Sequence, residues 1–141
     1  MKFNLKKIFP KNPAEIGSAK WVRAITSLYL AVMVGRSSIH LFSSDGGANS
    51  IAGIDIDLEG GDNIIAIFHQ WGAIQLILAV LLLVIFLRYP GFTPLVLLTL
   101  LADPVMREVA GKIAPVTAVG TPPGAALNAP VPETKFGVFR M

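Results

Sequence analysis

The feature of this sequence that most constrains its fold is the apolar run from Ile64 to Leu87, which contains no formally charged residue. As a helix, a run of that length rises roughly 36 Å, enough to cross the hydrocarbon layer of a bilayer. Arg88 and Tyr89 follow directly, as is typical of an anchor at the membrane interface. Soluble strands and amphipathic surface helices do not have this composition. The sequence therefore predicts an all-α integral membrane protein with a transmembrane helix over residues 64–87.

The overall composition agrees with a single membrane domain. The chain has 141 residues, of which 53% are hydrophobic and 15% are charged, and a soluble domain of this size seldom combines those values. It contains no cysteine, which excludes disulfides, thiolate metal sites and thiol catalysis for this chain. Its positive charges are concentrated near the start of the chain. That distribution indicates membrane topology and gives no sign of nucleic-acid binding.

A transmembrane helix is also predicted over residues 24–42. Trp21 precedes it at the expected interface, and only Arg36 and His40 interrupt its apolar sequence. Small residues recur along it at intervals of four, a pattern that lets another helix approach closely. This predicted helix-contact face consists of Ser27, Ala31 and Gly35.

The third predicted helix covers residues 94–112. Thr93 supplies an N-cap and Pro94 suits the first helical position. The segment is apolar as far as Ala102 and then becomes polar from Asp103 onward. Pro104 allows either a kink or a continuous helix, and we favour a full crossing of the bilayer.

The two ends of the chain have different compositions. Residues 1–23 are basic, and we interpret them as an interfacial arm lying on anionic headgroups, with a solvated tail as the alternative. Residues 115–141 contain repeated prolines, which predicts an extended tail that needs support from a partner. The basic residues of the arm are Lys2, Lys6, Lys7, Lys11, Lys20 and Arg23.

The charge distribution predicts the orientation. Positive residues flank the start of the first helix and the 88–93 turn, whereas residues 43–63 are acidic. The positive-inside rule then places the N-terminus in the cytoplasm and the C-terminal tail in the periplasm of a bacterial inner membrane. Within the 43–63 loop, residues 55–62 are interpreted as a solvated acidic turn, and Gly46-Gly47 and Gly60-Gly61 as turn glycines.

Polar residues of the three helices fall at a common depth when the helices are extended at 1.5 Å per residue. An unpaired charge there costs at least about 2.5 kcal/mol, so these residues should face one another. We predict an intramembrane ion pair between Arg36 and Asp103, with Arg107 as a competing local partner. The first interpretation of this group is a structural staple that fixes the helix register.

The second interpretation is a cofactor site formed by His40, His69, Arg36 and Gln75. The two histidines lie on antiparallel helices near the same surface, where they suit haem ligation, and the arginine and glutamine suit a quinone or lipid headgroup. We assign no cofactor, no metal site and no catalytic residue. Ser37 lies close to His40 in sequence, but near neighbours on one helix point in different directions.

Three stretches carry a resemblance to known proteins: GRSSIHLFSSDGGANSIAGID (35–55), WGAIQL (71–76) and TPPGA (121–125). They resemble an uncharacterised family of small bacterial inner-membrane proteins that is similar in layout to the DoxX-like four-helix group. The resemblance implies a helical membrane fold and no particular chemistry. The fourth hydrophobic helix of that layout has no counterpart in residues 125–141.

From these features we expect a non-catalytic accessory subunit of a larger bacterial membrane complex of the energy-converting kind, respiratory or photosynthetic. Its partners would be other membrane subunits and anionic lipid. The alternative is a small membrane redox protein that binds quinone or haem through His40, His69, Arg36 and Gln75. A third possibility is a transporter or channel fragment, which three helices support only as an oligomer.

Overall fold

A computed structural model describes residues 8–116, and all regular secondary structure within that range is helical. Its elements are α1 (Lys20–Phe42), α2 (Gly61–Arg88), a short 3₁₀ turn (Pro90–Phe92) and α3 (Thr93–Ile113). The prediction of an all-α fold is confirmed for these residues. Residues 1–7 of the predicted arm and residues 117–141 of the predicted tail lie outside the described residues.

The helix ends follow from local sequence. Gly60 precedes α2 with a φ of 89°, a left-handed conformation that glycine adopts without strain. Tyr89 leads into Pro90, which cannot continue the α-helical hydrogen-bond pattern, so α2 ends at Arg88. The prediction of Thr93 as an N-cap is wrong. Thr93 is the first residue of α3, and its hydroxyl donates to the Pro90 carbonyl at 2.7 Å.

The three helices alternate in direction around a small apolar core. α1 and α2 pack along most of their length, whereas α3 contributes buried residues only from its first half. Because α2 is antiparallel to both neighbours, α1 and α3 run in the same direction. The buried hydrophobic cluster consists of Leu30, Met33, Ala79, Leu82, Phe86, Val96 and Leu100.

The outward faces of the helices expose many large hydrophobic side chains. Ile74 and Ile77 of α2 are 68% and 70% exposed, and only 22% of the most apolar window of α2 is buried within the chain. Folding therefore does not account for the hydrophobicity of α2, which instead matches a lipid environment. α1 and α2 are each long and apolar enough to cross a membrane. α3 is not shown to do so, because Asp103, Arg107 and Glu108 interrupt its second half.

The start of the described chain contacts the turn between α2 and α3. The Gly91 N–H donates to the Pro13 carbonyl at 2.8 Å, and a Cβ at Gly91 would lie only 2.9 Å from that oxygen. Close by, an Arg23 Nη donates to the Thr93 hydroxyl at 2.9 Å, and the guanidinium lies 4.4 Å from the centroid of the Phe86 ring. These contacts join the basic end of the chain to the basic end of the helix bundle.

Candidate functional site

Polar side chains from all three helices meet at one level near the carboxyl end of α1, and we call this group the polar layer. Antiparallel packing sets the level, because the first half of α2 lies beside the second halves of α1 and α3. The predicted site residues all belong to it, but they form separate contacts. Its members are Arg36, His40, His69, Trp71, Gln75, Asp103 and Arg107.

The Asp103 carboxylate connects α2 with α3. One of its oxygens, Oδ1, accepts a hydrogen bond from Gln75 Nε2 at 3.0 Å, and Oδ2 pairs with Arg107 Nη2 at 2.9 Å. The predicted pairing of Asp103 with Arg36 is wrong, because Arg36 forms no salt bridge within the described residues. Arg107 takes its place, since a residue four positions along the same helix reaches Asp103 without any interhelical approach.

Arg36 lies instead on an aromatic ring. Its guanidinium carbon is 4.9 Å from the centroid of the Trp71 ring, which is within the range of a cation–π interaction. No role for Trp71 is predicted from the sequence, although an aromatic residue at the same depth as a charged one was the available signal. The stacking orients Arg36 but supplies no formal negative charge. Arg36 therefore remains a cation without an anionic partner in the described part of the chain.

His40 is buried, with 3% of its surface exposed. Its Nδ1 lies 2.7 Å from the Gly46 carbonyl oxygen, so Nδ1 carries the donated proton and Nε2 is left as an acceptor. The ring packs at 4.7 Å from Trp71 and 5.8 Å from Phe68, measured between centroids. Nε2 is buried and has no hydrogen-bond partner among the described residues.

His69 caps the carboxyl end of α1. Its Nδ1 lies 2.9 Å from the Leu41 carbonyl oxygen, one of the last carbonyls of α1, which have no partner within the helix. This hydrogen bond accounts for the position of His69 without any ligand. Since protein surrounds His40 Nε2 completely, haem iron cannot reach that nitrogen unless the packing around His40 opens.

The loop after α1 is folded onto the helices. Gly46 and Gly47 are buried and have φ values of 61° and 75°. A Cβ at Gly46 would lie 2.8 Å from Phe68 Cβ, and one at Gly47 would lie 2.8 Å from His40 Nδ1. Gly46 and Gly47 are the turn glycines that the sequence predicts, and their turn packs against the helices. The glycine pair was the signal for a close approach.

Asp45 organises this loop. Its carboxylate accepts hydrogen bonds from the backbone N–H groups of Ser50 at 2.7 Å, Gly47 at 2.8 Å and Asn49 at 3.1 Å, and from the hydroxyls of Ser50 at 3.1 Å and Ser43 at 3.3 Å. These bonds, led by that of the Ser50 N–H, hold the pKa of Asp45 well below its ordinary value, against the opposing effect of partial burial. The ionised carboxylate thus keeps the loop over the buried His40.

A cleft lies between α1 and α3 at the polar layer. It encloses about 40 Å³, which is room for a few water molecules or one small polar group. Of the four residues predicted to bind a cofactor, only Arg36 lines it. The other three already hydrogen-bond within the protein. The lining residues are Tyr29, Val32, Met33 and Arg36 of α1 and Leu100, Asp103 and Arg107 of α3.

The predicted helix-contact face of α1 is not the face that packs within this chain. Ser27, Ala31 and Gly35 are exposed, and a Cβ at Gly35 would meet nothing within 4 Å. α1 uses a different face, on which Gly72 of α2 is the point of closest approach. The buried residues of that packing face are Thr26, Leu30, Met33, Ser37 and His40.

Within residues 8–116, no three His, Asp or Glu side chains are close enough to share a metal ion. Comparison with known protein families, with curated proteins and with solved structures finds no match. The resemblance to the DoxX-like layout therefore stays a prediction.

Proposed function

We propose that this chain is a multi-pass protein of the bacterial inner membrane, with its N-terminus in the cytoplasm and the residues after α3 in the periplasm. The two ends of the helix bundle carry opposite charge, which supports this orientation. Lys11, Lys20, Arg23 and Arg88 belong to one end, and Asp55, Asp57, Glu59 and Asp62 belong to the other. A full crossing by α3 is part of the proposal. The contacts of Asp103 with Gln75 and Arg107 lower the free-energy cost of placing its charge within the bilayer.

Within that membrane, the chain acts as a non-catalytic accessory subunit of a larger complex, for which we favour the energy-converting class. The observation that carries this proposal is the open face of Ser27, Ala31 and Gly35. Small residues at four-residue spacing let a second transmembrane helix approach closely enough for backbone contact. Neither α2 nor α3 covers this face, so the occupant we propose is a transmembrane helix of another subunit.

The environment of the candidate nucleophiles supports a non-catalytic role. The Ser37 and Ser38 hydroxyls donate to the carbonyls of Met33 and Val34, four residues earlier in α1, at 2.7 Å and 2.8 Å. Neither serine is within hydrogen-bonding distance of His40, whose Nδ1 is occupied by the loop backbone. A nucleophile needs an adjacent base to be activated, and this arrangement offers none to either serine.

Two glycines allow a matched test of the accessory role. Gly35 and Gly111 both lie in helices and both have open space around an added Cβ, but only Gly35 belongs to the small-residue face. After gentle detergent extraction from native membranes, wild-type protein and Gly111→Leu should co-migrate with partner subunits. Gly35→Leu should migrate alone while remaining folded by circular dichroism. Co-migration of Gly35→Leu at the wild-type level would contradict the proposal.

An absorbance spectrum separates this proposal from the haem alternative. Because His40 Nε2 is enclosed by protein, we expect the purified chain to show no Soret band. A Soret band that disappears in His40→Phe would contradict the accessory role and support the haem-binding alternative.

A further inference from the structure

The cleft between α1 and α3 has a charged end and an apolar end. Arg36 and Asp103 line the charged end, and Met33 and Leu100, each three residues earlier in its helix, line the apolar end. Because α1 and α3 run in the same direction, these earlier residues lie on the same side of the charged pair. That side faces the middle of α1 and the start of α3. The cleft therefore has the polarity of a single lipid molecule in the leaflet nearest the acidic loop.

The charges around the cleft do not balance. Two guanidinium groups, those of Arg36 and Arg107, line it together with one carboxylate. Both oxygens of Asp103 are already engaged by Gln75 and Arg107, so no carboxylate in the cleft pairs with Arg36. The Trp71 ring offsets part of the free energy of desolvating the Arg36 guanidinium. A buried or membrane-embedded cation is nevertheless most stable beside an anion.

We propose that this cleft binds the oxyanion headgroup of one anionic lipid, a phosphate diester or a carboxylate, with the acyl chain lying against the apolar end. Arg36 is the principal ligand, since a guanidinium matches the paired oxygens of such a group. Arg107 reinforces it from the opposite wall. The enclosed volume of about 40 Å³ takes a headgroup oxyanion and leaves the chain outside, along the exposed surface of Val32. This inference rests on the bilayer insertion proposed above.

Lipid retention measured by native mass spectrometry tests the site. The purified protein is exchanged into detergent containing equal amounts of phosphatidylglycerol and phosphatidylcholine. We expect one retained phosphatidylglycerol and a preference of about tenfold over phosphatidylcholine, as one charged hydrogen-bonded contact provides. Arg36→Gln should abolish the preference. Arg88→Gln, which removes a cation from the opposite end of the bundle, should keep it.

A second pair of variants leaves the charges intact, in case Arg36→Gln does not fold. Val32 and Ile39 are both exposed on α1, at 54% and 50%, but only Val32 lines the cleft. Val32→Trp should reduce the retained lipid, and Ile39→Trp should not. Equal retention of the two lipids, or equal effects of the two tryptophan variants, would overturn the proposal.

Competition and extraction experiments separate the remaining outcomes. If inorganic phosphate displaces phosphatidylglycerol at equal concentration, the site binds free anions and the lipid proposal is wrong. Alkaline carbonate extraction of native membranes tests insertion independently: release of the chain defeats the membrane proposal, whereas a retained chain without lipid preference defeats only the site.

Discussion

Gly72 of α2 lies directly against the backbone of His40 in α1. A Cβ at position 72 would be 2.7 Å from the His40 carbonyl carbon and 2.7 Å from the Leu41 nitrogen. Only a hydrogen atom fits in that space, so the two helices are closest here. The close approach also sets the neighbouring contacts, because it brings His69 to the Leu41 carbonyl and Trp71 to the His40 ring.

The first prediction concerns this contact. Gly72→Ala should lower the free energy of unfolding by about 1–3 kcal/mol, because the added methyl group forces two backbones apart. Gly35→Ala is the matched control: its Cβ meets nothing within 4 Å, and it should gain the helix propensity of alanine, about 0.5–1 kcal/mol. Unfolding of the isolated protein in mixed micelles, followed by tryptophan fluorescence and circular dichroism, measures both. Equal stabilities for the two variants would mean that α1 and α2 do not meet at Gly72.

The second prediction concerns Asp45. Replacement of Asp45 by Asn should lower the free energy of unfolding by roughly 1–2 kcal/mol at neutral pH, because asparagine keeps one accepting oxygen and its NH2 group cannot accept the bonds made to the second carboxylate oxygen. Asp57→Asn, in the same acidic segment, is the control, since Asp57 lies exposed outside that network. The Asp57 variant should remain within about 0.5 kcal/mol of wild type.

The advantage of wild type over Asp45→Asn should also depend on pH. The folded-state pKa of Asp45 is lower than its unfolded value, so its ionisation stabilises the fold fully above the unfolded pKa of about 3.9. As the pH falls below that value toward the folded pKa, this stabilisation is lost. Denaturation measured between about pH 6 and pH 3 should therefore show the difference between the two proteins shrinking. A difference that stays constant or grows would exclude Asp45 as the organiser of the loop.

The third prediction concerns the polar layer. Asp103→Asn should reduce stability by about 1–3 kcal/mol, because it leaves Arg107 without its carboxylate partner at membrane depth. The comparison is Glu108→Gln, which breaks the more exposed pair with Lys112 and should cost no more than about 1 kcal/mol. A double-mutant cycle between Gln75 and Asp103 should give a coupling energy of roughly 0.5–2 kcal/mol. Zero coupling would show that the Gln75–Asp103 hydrogen bond contributes nothing to stability.

The fourth prediction concerns topology. The sequence has no cysteine, so a single introduced cysteine reports its own position. In intact cells, a membrane-impermeant maleimide should label Asp57→Cys and Lys112→Cys, whereas Lys11→Cys should be labelled only after the inner membrane is opened. Labelling of Lys11→Cys in intact cells would reverse the proposed orientation. Labelling of Lys112→Cys only in opened cells would mean that α3 does not cross.

Much of the helical layout could be predicted from the sequence, because helix formation in apolar segments is a local property. The uncharged run from Ile64 to Leu87 and the Pro90-Gly91 pair define α2 and its end, and both depend only on neighbouring residues. The level of the polar layer followed from helix rise alone. The predicted local pair of Asp103 and Arg107 is present, but the predicted pair of Arg36 and Asp103 is not, because pairing between helices depends on which face each helix turns toward its neighbours.

The contact face of α1 shows where local patterns stop being informative. The Ser27, Ala31 and Gly35 pattern marked a face suited to helix contact, yet α1 packs through the face that carries Leu30 and His40. Both faces fit a close neighbour by sequence spacing. The choice between them depends on Gly72, which lies more than thirty residues away in sequence.

The sequence by itself determined that this chain forms apolar helices with charge at their ends, since composition and hydrogen-bonding requirements act on each segment separately. Only the tertiary structure decided that Asp103 binds Gln75, that it pairs with Arg107 and not with Arg36, that Arg36 stacks on Trp71, and that the glycine loop covers His40. Those outcomes depend on helix rotation and on distances of a few ångströms between segments remote in sequence, which no single segment encodes.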